Sequence, residues 1–283
     1  MKTLLAVAAL LVLFSPVLAN NSHELRSPDS RILVTVRVDD EISYDVQVNG
    51  KLLIKDSTLS LDVDHKKLGH DAKVEAVKND TVDREIELPV KLKFAKIREH
   101  YNELRLSFTN FSVTFRAYNE GVAYRFETSL PQTEVKVYGE EAVFKFADNY
   151  NVYYPKEDSF FSHNERIFLP LPLNQIADKS LASLPAVVVA PDRLKLVIAE
   201  SDVDDYPGLW LRGDSNNSLT ATFPPIALKE TVPDQKNDRD IRVTEAADYI
   251  AVTKGTRTFP WRIIGVAASD AELLTNQIVY LLA

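Results

Sequence analysis

An acidic cluster offers the densest set of possible metal ligands in this sequence. Glu200, Asp202, Asp204 and Asp205 place four carboxylates within six residues, directly after the apolar run of residues 194–199. Carboxylate oxygens at this density suit Ca²⁺, which takes six to eight oxygen ligands in flexible geometry. The cluster lacks the glycine and the later glutamate of an EF-hand loop. Two interpretations therefore stay open, a Ca²⁺ site and a solvated acidic turn.

Histidine is the second possible source of chemistry. His65 and His70 are separated by Lys66-Lys67-Leu68-Gly69, which predicts a loop and disfavours a shared metal. His163 lies in a loop rich in aromatic residues, where it could bind a ligand or serve the structure alone. No serine or histidine occurs in the context of a nucleophile elbow. The absence of cysteine excludes thiolate zinc sites, disulfides and a cysteine nucleophile.

Aromatic side chains in or beside predicted loops are candidates for sugar binding. Flat rings can stack on the apolar face of a sugar. The alternative is that most of them close the ends of a β-sandwich. The set consists of Tyr150, Tyr153, Tyr154, Phe160, Phe161, Tyr206, Trp210, Phe259 and Trp261.

Composition narrows the possible functions. The 283 residues are 45% hydrophobic and 26% charged, enough for a full-sized core. The net charge of -8 argues against a nucleic-acid partner, because non-specific binding to phosphates needs a basic surface. The 8 glycines do not match a phosphate-binding loop, which disfavours nucleotide chemistry.

The first 19 residues are predicted to be a cleavable signal peptide. Lys2 precedes an apolar stretch from Leu4 to Phe14, and Val17-Leu18-Ala19 provides the small residues of a cleavage site. The apolar stretch is shorter than the roughly 20 residues of a membrane-spanning helix, and no later segment qualifies either. We expect a periplasmic or secreted protein without a membrane span.

Strict alternation of apolar and polar residues predicts an all-β fold. Ile32, Val34, Val36 and Val38 share one face, and similar patterns recur along the chain, as half-buried antiparallel strands require. Hairpin turns are predicted at residues 119–121, 139–140 and 191–192. Longer loops are expected at residues 148–175, 200–207 and 229–242. The fold class is therefore a large antiparallel β-sandwich.

One short helix is expected at the C-terminal end. Ser269 and Glu272 have the spacing of a capping box, and apolar residues follow at helical spacing. Residues 20–268 are predicted to form a single sandwich domain, and residues 269–283 a helix that packs on it or leads away from it.

The segment Phe259-Pro260-Trp261-Arg262 carries a specific structural prediction. Pro260 fixes its own φ, and Trp261 and Ile263 then lie on one face while Arg262 and Ile264 lie on the other. A strand with isoleucine on both faces is expected to be covered on both sides. A buried Arg262 would need a carboxylate partner.

The chain resembles the N-terminal domain of glycoside hydrolase family 97, whose members are exported, Ca²⁺-dependent α-glycosidases. The resemblance implies a super-sandwich of the galactose-mutarotase type. It rests on the order and spacing of five motifs along the mature chain: Ser27-Pro28-Asp29, Phe115 to Phe126, Glu200-Ser201-Asp202 with Tyr206-Pro207-Gly208, Asp248 to Ala251, and Gly255 to Arg262.

The resemblance also implies specific roles and partners. In the family a catalytic (β/α)₈ barrel follows the segment that resembles residues 270–282, so no catalytic residue is expected in this chain. Glu200 matches the glutamate that the domain contributes to Ca²⁺ beside the catalytic carboxylates, and the substrate would be an α-linked oligosaccharide. Thr222, Phe223 and Pro224 correspond to a loop near the substrate, although Phe223-Pro224-Pro225 departs from the family pattern.

Two other functions are compatible with the same residues. One is a stand-alone carbohydrate-binding module without catalytic activity, which would use the loop aromatics. The other is a mutarotase-like enzyme, which needs a positioned acid and base. His163 is the histidine best placed for that role.

Overall fold

Alternation of side chains sets the buried and exposed faces of most strands. The computed structural model describes residues 21–87, 91, 93–214, 216–233 and 241–283, so the predicted signal peptide lies outside the described residues. In the strand from Ile32 to Val38 every second residue is buried, as predicted. The strands are β1 (Ser22–Arg26), β2 (Ile32–Val38), β3 (Ile42–Val48), β4 (Lys51–Val63), β5 (Lys66–Leu68), β6 (Ala76–Glu87), β7 (Lys96–Phe108), β8 (Phe111–Tyr118), β9 (Gly121–Lys145), β10 (Asn151–Tyr154), β11 (Lys156–Glu157), β12 (Leu169–Pro172), β13 (Leu181–Ala182), β14 (Ala186–Val189), β15 (Lys195–Ser201), β16 (Trp210–Gly213), β17 (Ser218–Thr222), β18 (Ala227–Thr231), β19 (Arg242–Ala246), β20 (Ala251–Thr258) and β21 (Trp261–Ala267).

The long strand β9 belongs to both layers of an antiparallel β-sandwich. Its N-terminal part pairs with β8 and β21, in the layer β6-β7-β8-β9-β21-β15-β14-β10-β12. Its C-terminal part pairs with β4 and β17, in the layer β1-β2-β3-β4-β9-β17-β16-β13-β11. The predicted all-β sandwich is confirmed.

The hairpin predicted at residues 139–140 is wrong, because β9 continues through both residues. Gly139 and Glu140 pair with Asp62 and Leu61 of β4, and the register shifts only between Asp62 and Val63. A glycine followed by a polar residue suits a turn in sequence, but the hydrogen bonds to β4 keep this segment extended. The consequence is that Glu140 lies inside the sandwich instead of at its surface.

The other two predicted hairpins are confirmed. Asn119 and Glu120 form the turn between β8 and β9, where Tyr118 pairs with Gly121. A 3₁₀ turn at Pro191–Arg193 joins β14 to β15, and the backbone N–H of Ala190 donates to the carbonyl of Leu194 at 2.8 Å.

Aromatic residues hold the two layers together in the core. The ring of Tyr44, on β3, contacts the rings of Phe115 and Tyr124 from the opposite layer, at centroid distances of 5.8 and 5.5 Å. All seven residues of β21 are buried, which confirms that this strand is covered on both faces.

The C-terminal segment forms two short helices instead of one. Helix α1 (Asp270–Thr275) begins with the predicted cap, in which the Ser269 hydroxyl accepts the Glu272 N–H at 3.2 Å. The helix ends where Asn276 Nδ2 donates to the carbonyl of Glu120 and the Gln277 N–H donates to the Glu120 carboxylate. Helix α2 (Ile278–Leu281) then packs Ile278 and Leu281 on an apolar cluster that includes Trp261 and Ile263.

The predicted loops contain more strand than expected. Strands β10 and β12 pair within residues 148–175. Strands β18 and β19 pair in the exposed segment near residues 229–242, of which residues 234–240 lie outside the description. Within the described residues, no helix has the length and apolar character needed to cross a bilayer.

Candidate functional site

Three charged side chains meet inside the sandwich around Arg262. This arginine is fully buried on β21, and its Nε and Nη2 donate to the two carboxylate oxygens of Glu140 at 2.5 and 2.6 Å. Its Nη1 donates to Glu200 Oε2 at 2.7 Å. The predicted carboxylate partner of Arg262 is thus confirmed, and the chain provides two. We call Glu140, Arg262 and Glu200 the buried triad.

The buried triad combines one cation with two carboxylates, so Arg262 attracts both of them while one negative charge stays in excess. Burial alone lowers the pKa of Arg262, but the charge and hydrogen bonds of Glu140 and the charge of Glu200 outweigh that effect and raise it above its ordinary value. Burial also raises the pKa of Glu200, and the nearby Arg262 charge only partly offsets this shift. Glu200 therefore holds its negative charge less readily than an exposed glutamate does.

Strand pairing places Glu200 beside Arg262. The two residues face each other in the antiparallel register of β15 and β21. The backbone N–H of Leu209 donates to both carboxylate oxygens of Glu200 at 2.9 Å. The Glu200 side chain is still 17% exposed. The carboxylate is thus fixed from two sides and remains within reach of a group outside the domain.

Two aromatic rings cover the triad from the loop side. Phe223 is buried, and the Arg262 guanidinium lies 5.2 Å from its ring centroid. Tyr206 meets the Phe223 ring edge-on at 6.0 Å and is itself buried. Of the predicted substrate-proximal residues, Phe223 is therefore a core residue next to Arg262, whereas Thr222 and Pro224 are half-buried at the end of β17.

The three aspartates of the acidic cluster do not converge on Glu200. Asp202 accepts a hydrogen bond from Arg125 Nη1 at 3.4 Å, and the side chains of Asp204 and Asp205 are exposed. The backbone carbonyls of Asp204 and Asp205 instead accept hydrogen bonds from the Arg257 guanidinium. In the part of the chain that the structure describes, no group of three or more acidic or histidine side chains could hold a metal ion.

A largely apolar cavity of about 360 Å³ opens next to Glu200. It lies between strands β15 and β21, the C-terminal helices and the segment around the cis peptide bond Leu184–Pro185. Its lining includes Ala199, Ile263, Ile278 and Val279 besides Glu200. Leu274, on the adjacent helix, is 69% exposed. The Glu200 side chain itself points to the other face of β15, where its carboxylate meets Arg262, so the cavity and the carboxylate lie on opposite faces of the sheet.

The remaining predicted site residues are dispersed. His65 stacks on the Tyr138 ring with a centroid distance of 3.7 Å, whereas His70 lies between Glu41 and Glu141, so these histidines serve different contacts. His163 is exposed on its loop. Five of the nine aromatic candidates are core residues, namely Tyr150, Tyr154, Tyr206, Phe259 and Trp261.

Glu140 is the residue of the site that sequence reasoning missed. It precedes Glu141 in a stretch where charge suggests solvent, and it lies 122 residues from its partner Arg262. The need of a buried Arg262 for a carboxylate is the only available signal, and it does not say which carboxylate. The pairing of β9 with both β4 and β21 determines that Glu140 is the carboxylate that meets Arg262.

The chain matches one known protein family over most of its length. The family Glycosyl-hydrolase 97 N-terminal matches residues 25–283. The chain belongs to this family. A curated relative, the retaining alpha-galactosidase of Bacteroides thetaiotaomicron, is 33% identical over 276 residues. That match covers 93% of this chain and 41% of the relative, so the chain spans less than half of the relative's length.

Solved structures show the same fold for this glycoside hydrolase family 97 domain. A family 97 enzyme from Pseudoalteromonas sp. strain K8, in complex with acarbose, superposes with a TM-score of 0.75 at 17% identity. The match covers 90% of this chain and 37% of that chain. A beta-arabinopyranosidase superposes with a TM-score of 0.73 at 19% identity, covering 87% and 40%. At these identities the likeness concerns the fold.

Proposed function

We propose that this chain is the N-terminal domain of an exported α-glycosidase, in which it completes the active-site pocket next to a catalytic (β/α)₈ barrel. The observation that carries the proposal is the Glu200 carboxylate, which Arg262 and Leu209 hold in one orientation and which stays 17% exposed. The substrate would be an α-linked oligosaccharide of the galactoside or glucoside type. Export to the periplasm or the medium follows from the predicted signal peptide in residues 1–19.

The Glu200 carboxylate fits one position in the coordination shell of Ca²⁺. It is a hard oxygen ligand, and Arg262 and Leu209 hold it in one orientation. Within the described residues no further acidic side chain joins it in a metal cluster. Ca²⁺ requires six to eight oxygens, so the other ligands would come from the catalytic domain and water. When bound, the ion would supply positive charge that polarises substrate oxygens.

The apolar surface along β15, β21 and the C-terminal helices supports docking of a second domain. The cavity is mostly apolar, and Leu274 and Val279 extend the apolar surface onto the C-terminal helices. Exposed apolar side chains are costly in water, and covering them by another domain removes that cost. We expect the catalytic domain to cover this surface.

A complementation assay tests the proposal. The Bacteroides thetaiotaomicron relative would be expressed without its first domain and mixed with this chain in the presence of Ca²⁺. We expect the chain alone to leave p-nitrophenyl α-galactoside intact, because glycoside hydrolysis needs a pair of suitably spaced carboxylates from the barrel. The mixture should hydrolyse it, and Glu200→Gln should remove the gain.

Asp204→Asn is the matched control, because it changes an exposed carboxylate of the same turn. It should complement as well as the original chain. Turnover by the chain alone, or full complementation by a folded Glu200→Gln variant, would contradict the proposal.

Calcium binding by the isolated chain gives a separate test. One glutamate is far short of a complete shell, so calorimetry should detect at most weak binding. Micromolar affinity that Glu200→Gln abolishes would show that this chain forms a local Ca²⁺ site and would contradict a shared one.

A further inference from the structure

Four neighbouring strands of one sandwich layer align apolar side chains in a single row. In the antiparallel register, Tyr153 of β10 lies opposite Pro170 of β12 and opposite Val187 of β14, and Val187 lies opposite Val197 of β15. Residues that lie opposite each other in a sheet point to the same face. Val189 lies on that face as well, two residues after Val187. We call the surface formed by these five residues the apolar face.

The apolar face points away from the core of the sandwich. Val152 and Tyr154, on either side of Tyr153, are both 0% exposed in the core, and Val187 likewise lies between two buried residues. Because side chains alternate along a strand, Tyr153 and Val187 must point outward. The Tyr153 residue is 45% exposed, and Val187 and Val189 are half-buried. The row therefore meets water in the isolated chain.

The other half of the same layer has a different outer surface. Strands β7, β8 and β9 carry ion pairs there, between Glu103 and Arg116 and between Arg105 and Glu127. Such polar residues are usual on a sheet face that stays in water, whereas strands that are apolar on both faces are usually covered on both. The outward positions of β10, β12 and β14 carry no charge: they are Asn151, Tyr153, Pro170, Pro172, Val187 and Val189. This pattern predicts a partner that packs on the apolar face.

The edge of the layer disfavours a partner that adds a strand. Among the described pairings β12 is the last strand of the layer, and its sequence is Leu169-Pro170-Leu171-Pro172. Proline has no N–H to donate, so this edge offers few donors to another strand. Helices are the elements that cover an open sheet face. Helix α2 already does so on this face, where Ile278 packs in one cluster with Ile263.

The apolar face continues into the surface beside the C-terminal helices. Val197 lines the cavity between β15, β21 and these helices. Leu274 and Val279, on the helices, are 69% and 36% exposed. Val187 and Tyr153 lie one and two strands farther along the row, about 5 and 10 Å from Val197. A domain that covers the cavity is therefore close enough to cover the apolar face too.

We infer that the apolar face is the docking surface for a helical face of the catalytic domain, with Tyr153 as its anchor. The inference rests on the proposed function for the identity of this occupant. A tyrosine ring provides a large contact area, and the valines and proline around it exclude water from the contact. The docked surface then extends from the C-terminal helices across β14 to the edge strand β12.

Hydroxyl-radical footprinting tests whether Tyr153 is covered. In a chimera, this chain replaces the part of the Bacteroides thetaiotaomicron relative that it matches, so that both domains belong to one protein. Tyr153 should react about fivefold more slowly in the chimera than in the isolated chain, because a docked domain excludes water from the ring. Val252 on β20, which is 38% exposed, is the control and should react equally in both. An unchanged Tyr153 rate in a folded chimera would overturn the inference.

Tyr153→Glu separates docking from the role of Glu200. A carboxylate pressed into an apolar contact loses its water without compensation. In the complementation assay the variant should need about a tenfold higher concentration for half-maximal rescue, and an excess of it should compensate for the loss. Glu200→Gln should instead lower the rate at every concentration. Val252→Glu is the matched control and should rescue at the concentrations of the original chain.

The outcomes distinguish this inference from the proposed function. If Tyr153→Glu rescues like the original chain while Glu200→Gln removes the gain, the apolar face is not the docking surface and the proposed function stands. If a folded Glu200→Gln variant rescues fully, the proposed function fails, whereas slower reaction of Tyr153 in the chimera would still identify the docking surface. Sedimentation of the isolated chain adds a third outcome, because a dimer that Tyr153→Glu abolishes would assign the face to a second copy and overturn the inference.

Discussion

Arg262 and Glu140 are 122 residues apart in sequence and form a bidentate ion pair in the core of the sandwich. Their side chains are 0% and 3% exposed. Glu200 accepts a hydrogen bond from the remaining guanidinium nitrogen, and its side chain is 17% exposed. Arg262 therefore connects the buried Glu140 to Glu200, the residue that we propose as a calcium ligand.

Removing one member of the buried triad should destabilise the domain strongly. Arg262→Met leaves the buried Glu140 carboxylate without its countercharge, whereas Glu140→Gln removes the bidentate partner and leaves Arg262 paired with Glu200. Breaking a buried ion pair costs about 3–5 kcal/mol when it leaves a charge unpaired, so Arg262→Met should cost more than Glu140→Gln. Combining both should cost less than the sum, since the second change removes the charge that the first left unpaired. Urea unfolding of the single and double variants measures this coupling. Strictly additive effects would show that the two side chains act independently.

The exposed pair Arg98–Asp83 is the control for burial. It is also bidentate, with both distances at 2.7 Å, but its side chains are 65% and 48% exposed. Asp83→Asn should leave the urea midpoint almost unchanged, because solvent screens an exposed pair. A loss as large as that of Glu140→Gln would mean that geometry, and not burial, determines the effect.

Trp261 should contribute to stability and not to sugar binding. Its ring is buried between the guanidinium groups of Arg116 and Arg125, at 4.7 and 4.3 Å. Trp261→Ala should cost about 3–5 kcal/mol. Trp210→Ala, at a half-buried position, should cost less. Thermal unfolding and panose titration of both variants check this. Lost sugar affinity with an unchanged melting temperature in Trp261→Ala would assign the ring to binding.

Two glycines of β9 should respond differently to alanine. A Cβ at Gly121 would lie 2.6 Å from the Ile264 carbonyl oxygen, and its φ of +154° disfavours a side chain. A Cβ at Gly139 would meet no atom within 4 Å. We expect Gly121→Ala to destabilise the chain by about 2 kcal/mol or more and Gly139→Ala to be tolerated. Equal melting temperatures for the two variants would contradict the packing of β9 against β21.

Glu120 should make stability depend on pH. Burial raises the pKa of this carboxyl above its ordinary value of 4.5, and the hydrogen bond from the Gln277 N–H only partly offsets the shift. The folded state therefore binds the proton more tightly than the unfolded state, and this group's contribution to stability falls as the pH rises above about 4.5.

Glu120→Gln keeps an oxygen acceptor for Gln277 and removes the charge. The variant should be more stable than the original chain at pH 7, by about 1 kcal/mol, the usual scale for an incompletely compensated buried group. The advantage should disappear toward pH 4. Urea unfolding at several pH values measures it, and a difference that stays constant with pH would exclude Glu120 as its source.

The sequence by itself determined the local elements. Alternation along residues 32–38 fixes which side chains are buried, because successive residues of a strand point to opposite faces. The turn at residues 119–121 and the cap at Ser269 are equally local, since their hydrogen bonds join residues close in the chain. The need of a buried Arg262 for a carboxylate was also predictable, because the cost of an unpaired buried charge does not depend on the fold.

Only the tertiary structure decided which groups meet. Residues 139–140 have the composition of a turn, yet strand pairing holds them extended and turns Glu140 toward Arg262. The acidic cluster has the density of a metal site, yet Asp204 and Asp205 point to solvent and Glu200 joins an arginine 62 residues away. Contacts between distant residues depend on the register and layering of the strands, and a sequence window carries neither. For that reason the carboxylates of this domain could be counted from the sequence, but their partners could not.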